Sequence, residues 1–193
     1  QAIWYEAASE SEAGQRAVAI LKAAGCRRLG LASSGVGTAS IVERERGFRE
    51  AAQAAGIDWI EERFGPTGYE TGQNLGMALL ARPDRPDGIF CTTDLLACGV
   101  MDAARWQLGI RVPDELSLIG YDNIAQAGWD SYGLTTFSQP IDEMAAQSVA
   151  WLSTAEEDDA GQDDPAAIAE LVFAPRLVLR KSVAQGFVPG PAA

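Results

Sequence analysis

Two short polar clusters stand where a ligand could be held. Thr92 and Thr93 follow the apolar run Gly88–Cys91, and Asp122 follows Leu116–Gly120 with Tyr121 between. An ionised carboxylate accepts hydrogen bonds from two hydroxyls, and a threonine hydroxyl adds one donor. These groups suit non-covalent capture of a small polar molecule. Covalent chemistry lacks its parts. The chain has no histidine, so Ser-His-Asp and Cys-His arrangements cannot form. No GxGxxG, Walker loop or GxSxG occurs. Paired carboxylates could do acid–base work, but no pair stands out from the acidic background. No catalytic residue is therefore assigned, and the expectation is a binding protein rather than an enzyme.

Metal and redox chemistry are equally poorly supplied. Cys26, Cys91 and Cys98 lack CxxC spacing, and without histidine they make no usual zinc set. Cys91 and Cys98 sit in apolar runs, where a small buried thiol is the common case. The segment 156–164 carries six carboxylates. It lacks the spacing and central glycine of a calcium loop, and like charges repel, so it reads as solvated. No metal and no cofactor are expected. The net charge of −12 opposes binding to DNA, whose affinity for proteins comes from Lys and Arg displacing counterions. No apolar run reaches the roughly 18 residues of a membrane span. No charged and apolar signal region is visible at the start. Unpaired cysteines suit a reducing cytoplasm.

The elements that would position the polar clusters alternate in type. Arg28–Ser33, Asp58–Arg63, Gly88–Cys91 and Leu116–Gly120 read as short strands. Ala13, Ala17, Ile20, Leu21 and Ala24 recur at helical spacing before Gly25. Ile41–Ala55 is a helix stopped by Gly56, Thr71–Ala81 one ending before Pro83, and Asp94–Leu108 one closed by Gly109. Asp94 can accept hydrogen bonds from the free amides at its own helix start. Ile141, Met144, Ala145, Ser148, Val149 and Leu152 form one face of a later helix opened by Pro140. Ile168–Phe173 and Leu177–Leu179 read as late strands, and 187–193 as a loose tail. Continuous apolar strands separated by helices signal a parallel sheet covered on both faces. Ligands of such sheets bind outside the carboxyl ends of the strands. Thr93 and Asp122 fall there.

Four stretches, in order, resemble one family. They are Ala24–Gly30 followed by Arg44-Glu45-Arg46-Gly47-Phe48, the segment Pro86–Asn123, Leu134-Thr135-Thr136 with Gln139-Pro140, and Pro175-Arg176-Leu177 with Arg180-Lys181-Ser182. Together they are similar to the effector-binding core of LacI/GalR-type transcriptional regulators, over roughly Glu10–Val183. The resemblance implies an α/β core of the periplasmic-binding-protein type I kind: two lobes, each a parallel sheet flanked by helices, with a sugar or small metabolite between them. One lobe is nearly complete here.

The resemblance also implies roles. Arg44 matches an arginine that grips ligand oxygens, and Asp122 a ligand-binding aspartate. Ser40 and Thr38 fall on ligand-facing loop positions. Thr93 stands where many members carry Asn, and offers less. Gln139 sits at the lobe crossing. Thr67 stands where an aromatic ring often stacks on the ligand, and Tyr69 or Phe64 is a substitute. The helix from Asp94 would form part of a dimer seam, with Ala97, Cys98 and Met101 on it.

The expected division is 1–9 as the end of the first lobe or a crossing, and 10–137 as the C-terminal lobe. Residues 138–165 would be a crossing, a helix of the first lobe and the acidic loop, 166–183 closing strands, and 184–193 a tail. The resemblance implies a homodimer that meets operator DNA only through an N-terminal domain missing from this chain, with no membrane role. Competing readings are an exported solute-binding protein of a transporter and, more remotely, an α/β enzyme of sugar metabolism.

Overall fold

The computed structural model describes residues 10–157 and 173–184. Six strands form one sheet in the order β2-β1-β3-β4-β5-β6. They are β1 (Arg28–Ser33), β2 (Asp58–Arg63), β3 (Gly88–Cys91), β4 (Ser117–Tyr121), β5 (Thr135–Ser138) and β6 (Arg176–Val178). The first five run parallel, and β6 closes the edge antiparallel to β5. Five helices accompany them: α1 (Glu10–Ala23), α2 (Ala39–Ala54), α3 (Tyr69–Leu80), α4 (Asp94–Asp102) and α5 (Ile141–Glu157). The expected strand Ile168–Phe173 up to its last residue, most of the acidic segment and the 187–193 tail lie outside the described residues.

The sheet is covered on both faces, and the side-chain alternation of each central strand sorts its residues between them. Phe90, Ile119 and Tyr121 join Leu29 and Leu31 under α1 and α2, with Ala13, Ala17, Leu21, Phe48 and Ala52. Ile89, Cys91 and Leu118 join Leu75, Leu79, Leu96, Val100 and Met101 under α3 and α4. Burial on two sides is why β3 and β4 lack polar alternation. At the free edge, β2 exposes Asp58, Glu61 and Arg63, charges that discourage pairing with another chain.

Two features differ from the sequence expectation. β5 is a strand built on Thr135 and Thr136, whose hydroxyls are bonded inside the fold; no apolar run marked it. The helix expected to run unbroken to Leu108 instead widens into a π-helical turn over Ala103–Gln107, a local change of hydrogen-bonding step.

One helix crossing bears directly on the site. Gly47 of α2 lies against Ser11 of α1, and Gly14 lies against the backbone of Arg44 and Phe48. A Cβ on Gly47 would overlap the Ser11 carbonyl. This close approach sets Arg44, one turn before Gly47, beside Glu10. The reversal of strand order falls between β1 and β3, and the crevice of an open α/β sheet opens at that point.

Candidate functional site

The carboxyl ends of β1, β3 and β4 converge on a buried ion pair. Arg44 is 4% exposed and donates to both oxygens of Glu10, through Nε and one terminal nitrogen. Its other terminal nitrogen donates to the Thr92 carbonyl at 2.8 Å. The guanidinium carbon lies 3.5 Å from the centroid of the Tyr121 ring, a cation–π arrangement. Gln139 donates its amide to Glu10 Oε1 at 3.3 Å. Three of the five N–H groups of the fork are thus occupied within the protein.

Asp122 sits at the rim of this pair, with one oxygen 3.9 Å from Arg44 and 38% of its side chain exposed. Its φ is 114°, and that of Asn123 is 54°. Such a conformation is uncommon outside glycine, Asn and Asp being the most tolerant, and it clusters at functional sites. Three anchors hold it. The Asp122 amide donates to the Phe137 carbonyl at 2.9 Å. Arg180 donates to Asn123 Oδ1 at 2.7 Å and to the Leu134 carbonyl at 2.8 Å. Asp94 accepts from the Ile124 amide at 3.0 Å and from the Thr136 hydroxyl at 2.6 Å. Gly120 is required beneath this network, since a Cβ there would overlap Asp94 Oδ1.

The electrostatics follow from burial. Desolvation raises the Asp122 carboxyl from 3.8 to about 6, Arg44 opposes that rise, and Asp94 and Glu10 add to it. Asp94 is also raised, first by burial, against the lowering effect of its bonds to Thr136 and the Ile124 amide. The exposed oxygens of Asp122 can take hydrogen bonds from hydroxyl or amide donors. Burying the three cysteines likewise raises their thiols, Cys26 to about 11 and Cys98 to about 12. Among the described residues no group of three or more Cys, Asp or Glu could hold a metal ion.

The expected residues divide into three sets. Arg44, Asp122 and Gln139 come together around Glu10. Thr38 stands at the N-cap of α2, at the end of the β1–α2 connection, and Ser40 lies in the first turn of α2, their hydroxyls 3.3 Å apart, and Thr67 on the neighbouring β2–α3 loop donates to Ser34 at 2.9 Å. Phe64, partly exposed, is on that same loop. The remaining expected residues have partners or positions of their own in the fold. Thr93 is the N-cap of α4, accepting weakly from the Leu96 amide at 3.5 Å. Asp94, expected to cap its own helix, reaches across to β5 and the 122–124 turn instead. Tyr69 turns away to α4, where its hydroxyl and that of Tyr132 both donate to Asp102 Oδ2, at 2.6 and 2.9 Å. Ala97 and Met101 are fully buried and Cys98 nearly so, inside the α3–α4 core. Side chains already closed in the protomer offer no surface to a partner. Glu10 and Arg180 were missed as site residues. The signal for Glu10 was an acidic residue four positions before the close-crossing Gly14.

A mostly parallel sheet with a polar, conformationally strained crevice at its strand ends is the architecture of one lobe of an open α/β fold. A sequence profile of the periplasmic binding protein-like domain matches residues 18–183. The chain belongs to that family and carries the effector-binding core of LacI-family regulators. It is 35% identical over 147 residues to the HTH-type transcriptional repressor PurR of Yersinia pestis bv. Antiqua (strain Antiqua), covering 74% of this chain and 41% of that protein. The chain thus spans about two fifths of the length of the curated relatives it matches. A LacI-family transcriptional regulatory protein from Corynebacterium glutamicum superimposes with a TM-score of 0.77 at 26% identity, over 91% of this chain and 65% of that one. A sugar-binding LacI-family regulator from Escherichia coli, complexed with phosphate, gives 0.77 at 25% identity, over 94% and 63%.

Proposed function

We propose that this chain senses a small, donor-rich polar molecule, a sugar or related metabolite, and that the protein it belongs to uses that binding to change its affinity for an operator. The observation that carries this reading is Asp122. It is half-exposed at a strand end, in a costly backbone conformation, over a buried ion pair. Its carboxylate orients the effector. Ser40, Thr38, Thr67 and Gln139 line the approach, Thr93 supports it from the α4 cap, and Arg44 acts mainly by holding Glu10 and Tyr121 in place. The helix α5, with Ile141 and Val149 exposed, belongs to the crossing toward a second lobe. No catalysis is proposed, and the setting is the cytoplasm. In this reading DNA contact is made by another part of the protein, which the net charge of −12 supports and which is in keeping with the HTH-type relatives.

The test is a thermal-shift screen of sugars, sugar phosphates and nucleobases on the full-length protein, paired with operator binding. A ligand that binds only the folded state raises the melting temperature, by about 2.7 kcal/mol of stability at a hundredfold excess over Kd. The expected result is that one compound class raises it and shifts operator affinity. If no compound does either, the reading fails.

Homodimerisation is part of the proposal, with the seam moved outward on α4. Leu95 is 40% exposed, and Asp102 with its two tyrosines borders the same helix flank. Aromatic residues are enriched in interfaces. Leu95→Asp should weaken the dimer at least about tenfold, as a buried unpaired charge costs several kcal/mol. Sedimentation equilibrium of the full-length protein reads this directly. An unchanged dimer would place the seam elsewhere.

A further inference from the structure

We infer that Glu45 is a positioning residue that locks together the two loops at the crevice mouth, through Ser33 and Arg63. Glu45 is next to Arg44 in sequence, but points to the other side of the strand ends. It is buried, at 3% exposed, and three donors from three elements meet on it. Ser33, the last residue of β1, donates to Oε1 at 2.6 Å. Arg63, the last residue of β2, donates to the same oxygen at 3.0 Å. Arg49 of α2 donates to Oε2 at 3.1 Å and to Glu61 of β2 at 2.8 Å. The node continues inward: the Ser33 hydroxyl lies 3.2 Å from that of Thr92, whose carbonyl takes the bond from Arg44. A single buried carboxylate therefore bridges the ends of β1 and β2, and through the Ser33 hydroxyl is connected to Thr92 after β3 and to the Arg44–Glu10 pair.

The two loops leaving those strand ends are joined to each other above the node. The Gly35 amide donates to the Gly65 carbonyl at 2.8 Å, and Thr67 donates to Ser34 at 2.9 Å. The Arg63 guanidinium lies under Gly37, 3.3 Å from where a Cβ would stand. The exposed loops have few apolar contacts to fix them, so their order depends on what holds their bases. A buried carboxylate with two guanidiniums and a hydroxyl does that with charge-assisted bonds, which are the strong kind. A node serving only core stability would not need to reach the edge strand through a partly exposed arginine. Thr38 and Thr67 ride on these loops, and Ser40 follows in the first turn of α2. The consequence for effector binding rests on the proposed function, whereas the loop geometry does not.

Amide hydrogen exchange on the full chain tests this without a ligand. Glu45→Ala should speed exchange in 34–38 and 64–68 about tenfold, while β3 at 88–91 changes less than about twofold. Glu45→Gln keeps an acceptor for Ser33 but loses the charge that holds the arginines, and should fall between. Arg63→Met, at a partly exposed position, should loosen the same loops with the melting temperature within about 2 °C. Arg46→Gln is the control, since Arg46 pairs with Glu43 and Glu50 on the outer surface of α2. Unchanged loops in Glu45→Gln and Arg63→Met would overturn the inference. So would equal acceleration in β3, which would make Glu45 a core-stabilising group only. If Glu45→Ala does not fold, the other two variants decide. Loosened loops in the variants, together with no effector response from the unmodified protein, would refute the proposed function and leave this assignment standing.

Discussion

Arg44→Ala is expected to lower stability by about 3–5 kcal/mol, the range for removing one partner of a buried ion pair. Three groups lose their counterpart at once. Glu10, at 5% exposed, keeps a carboxylate whose remaining partners among the described residues are the neutral Gln139 amide and Tyr121 hydroxyl. The Thr92 carbonyl loses a donor, and the Tyr121 face loses its cation. The crossing at Gly47 leaves no slack for α1 to close the gap. Glu10 opens α1, so fraying of that first turn would let water reach it and bring the loss toward the lower figure. Arg44→Lys keeps a charge but not the fork, and should cost less. Urea unfolding of the three proteins measures the series. A loss under about 1 kcal/mol for Arg44→Ala would mean that the pair does not hold the crevice together. The result also bears on interpretation. A variant this unstable loses effector response for structural reasons, so its silence would not show that Arg44 touches the effector.

The parallel sheet was readable because β3 and β4 are short unbroken apolar runs between strongly periodic helices, and burial on two faces leaves no other pattern. Helix stops at Gly25, Gly56 and Gly109 were readable for the same local reason, and each takes a positive φ. β5 was not, since its threonines look polar and only the fold supplies partners for their hydroxyls. Asp122 could be placed at a strand end by counting from Leu116. The direction of Arg44 could not. Whether an arginine faces a ligand or is spent on a neighbour depends on a helix crossing, and Gly14 and Gly47 mark that crossing only once α1 and α2 are known to touch. Tyr69 shows the same dependence on tertiary contacts. Its place in the sequence suited a stacking ring, but the first turn of α3 aims it at Asp102. The seam residues failed through periodicity alone: Ala97, Cys98 and Met101 share the apolar face of α4, and an apolar face packs first against its own sheet.

Asp122→Asn should make the protein more stable at neutral pH while weakening its response to effector. The carboxyl titrates at about 6 in the folded chain, above its ordinary 3.8, because burial outweighs the pull of Arg44. A folded state that holds its proton more tightly than the unfolded chain is favoured at low pH, and that advantage is lost as pH rises through the window from 3.8 to about 6. Above it, the ionised carboxylate is a standing cost. Fully buried, a shift of this size would correspond to about 3 kcal/mol. With 38% of the side chain exposed, solvent screening reduces that to about 1 kcal/mol. Asparagine tolerates the left-handed backbone nearly as well as aspartate, so the substitution removes the charge with little added strain. Wild type and variant should therefore melt together near pH 4 and diverge toward pH 7, with the variant higher. A difference independent of pH, or a less stable variant at pH 7, would sink this account. Recognition should move the other way. Hydrogen bonds to a charged acceptor contribute about 1.5–3 kcal/mol each, so effector affinity should drop roughly ten- to a hundredfold. The same carboxylate that costs stability supplies the acceptor, which is why a group so poorly accommodated by its own fold is best explained by what it binds.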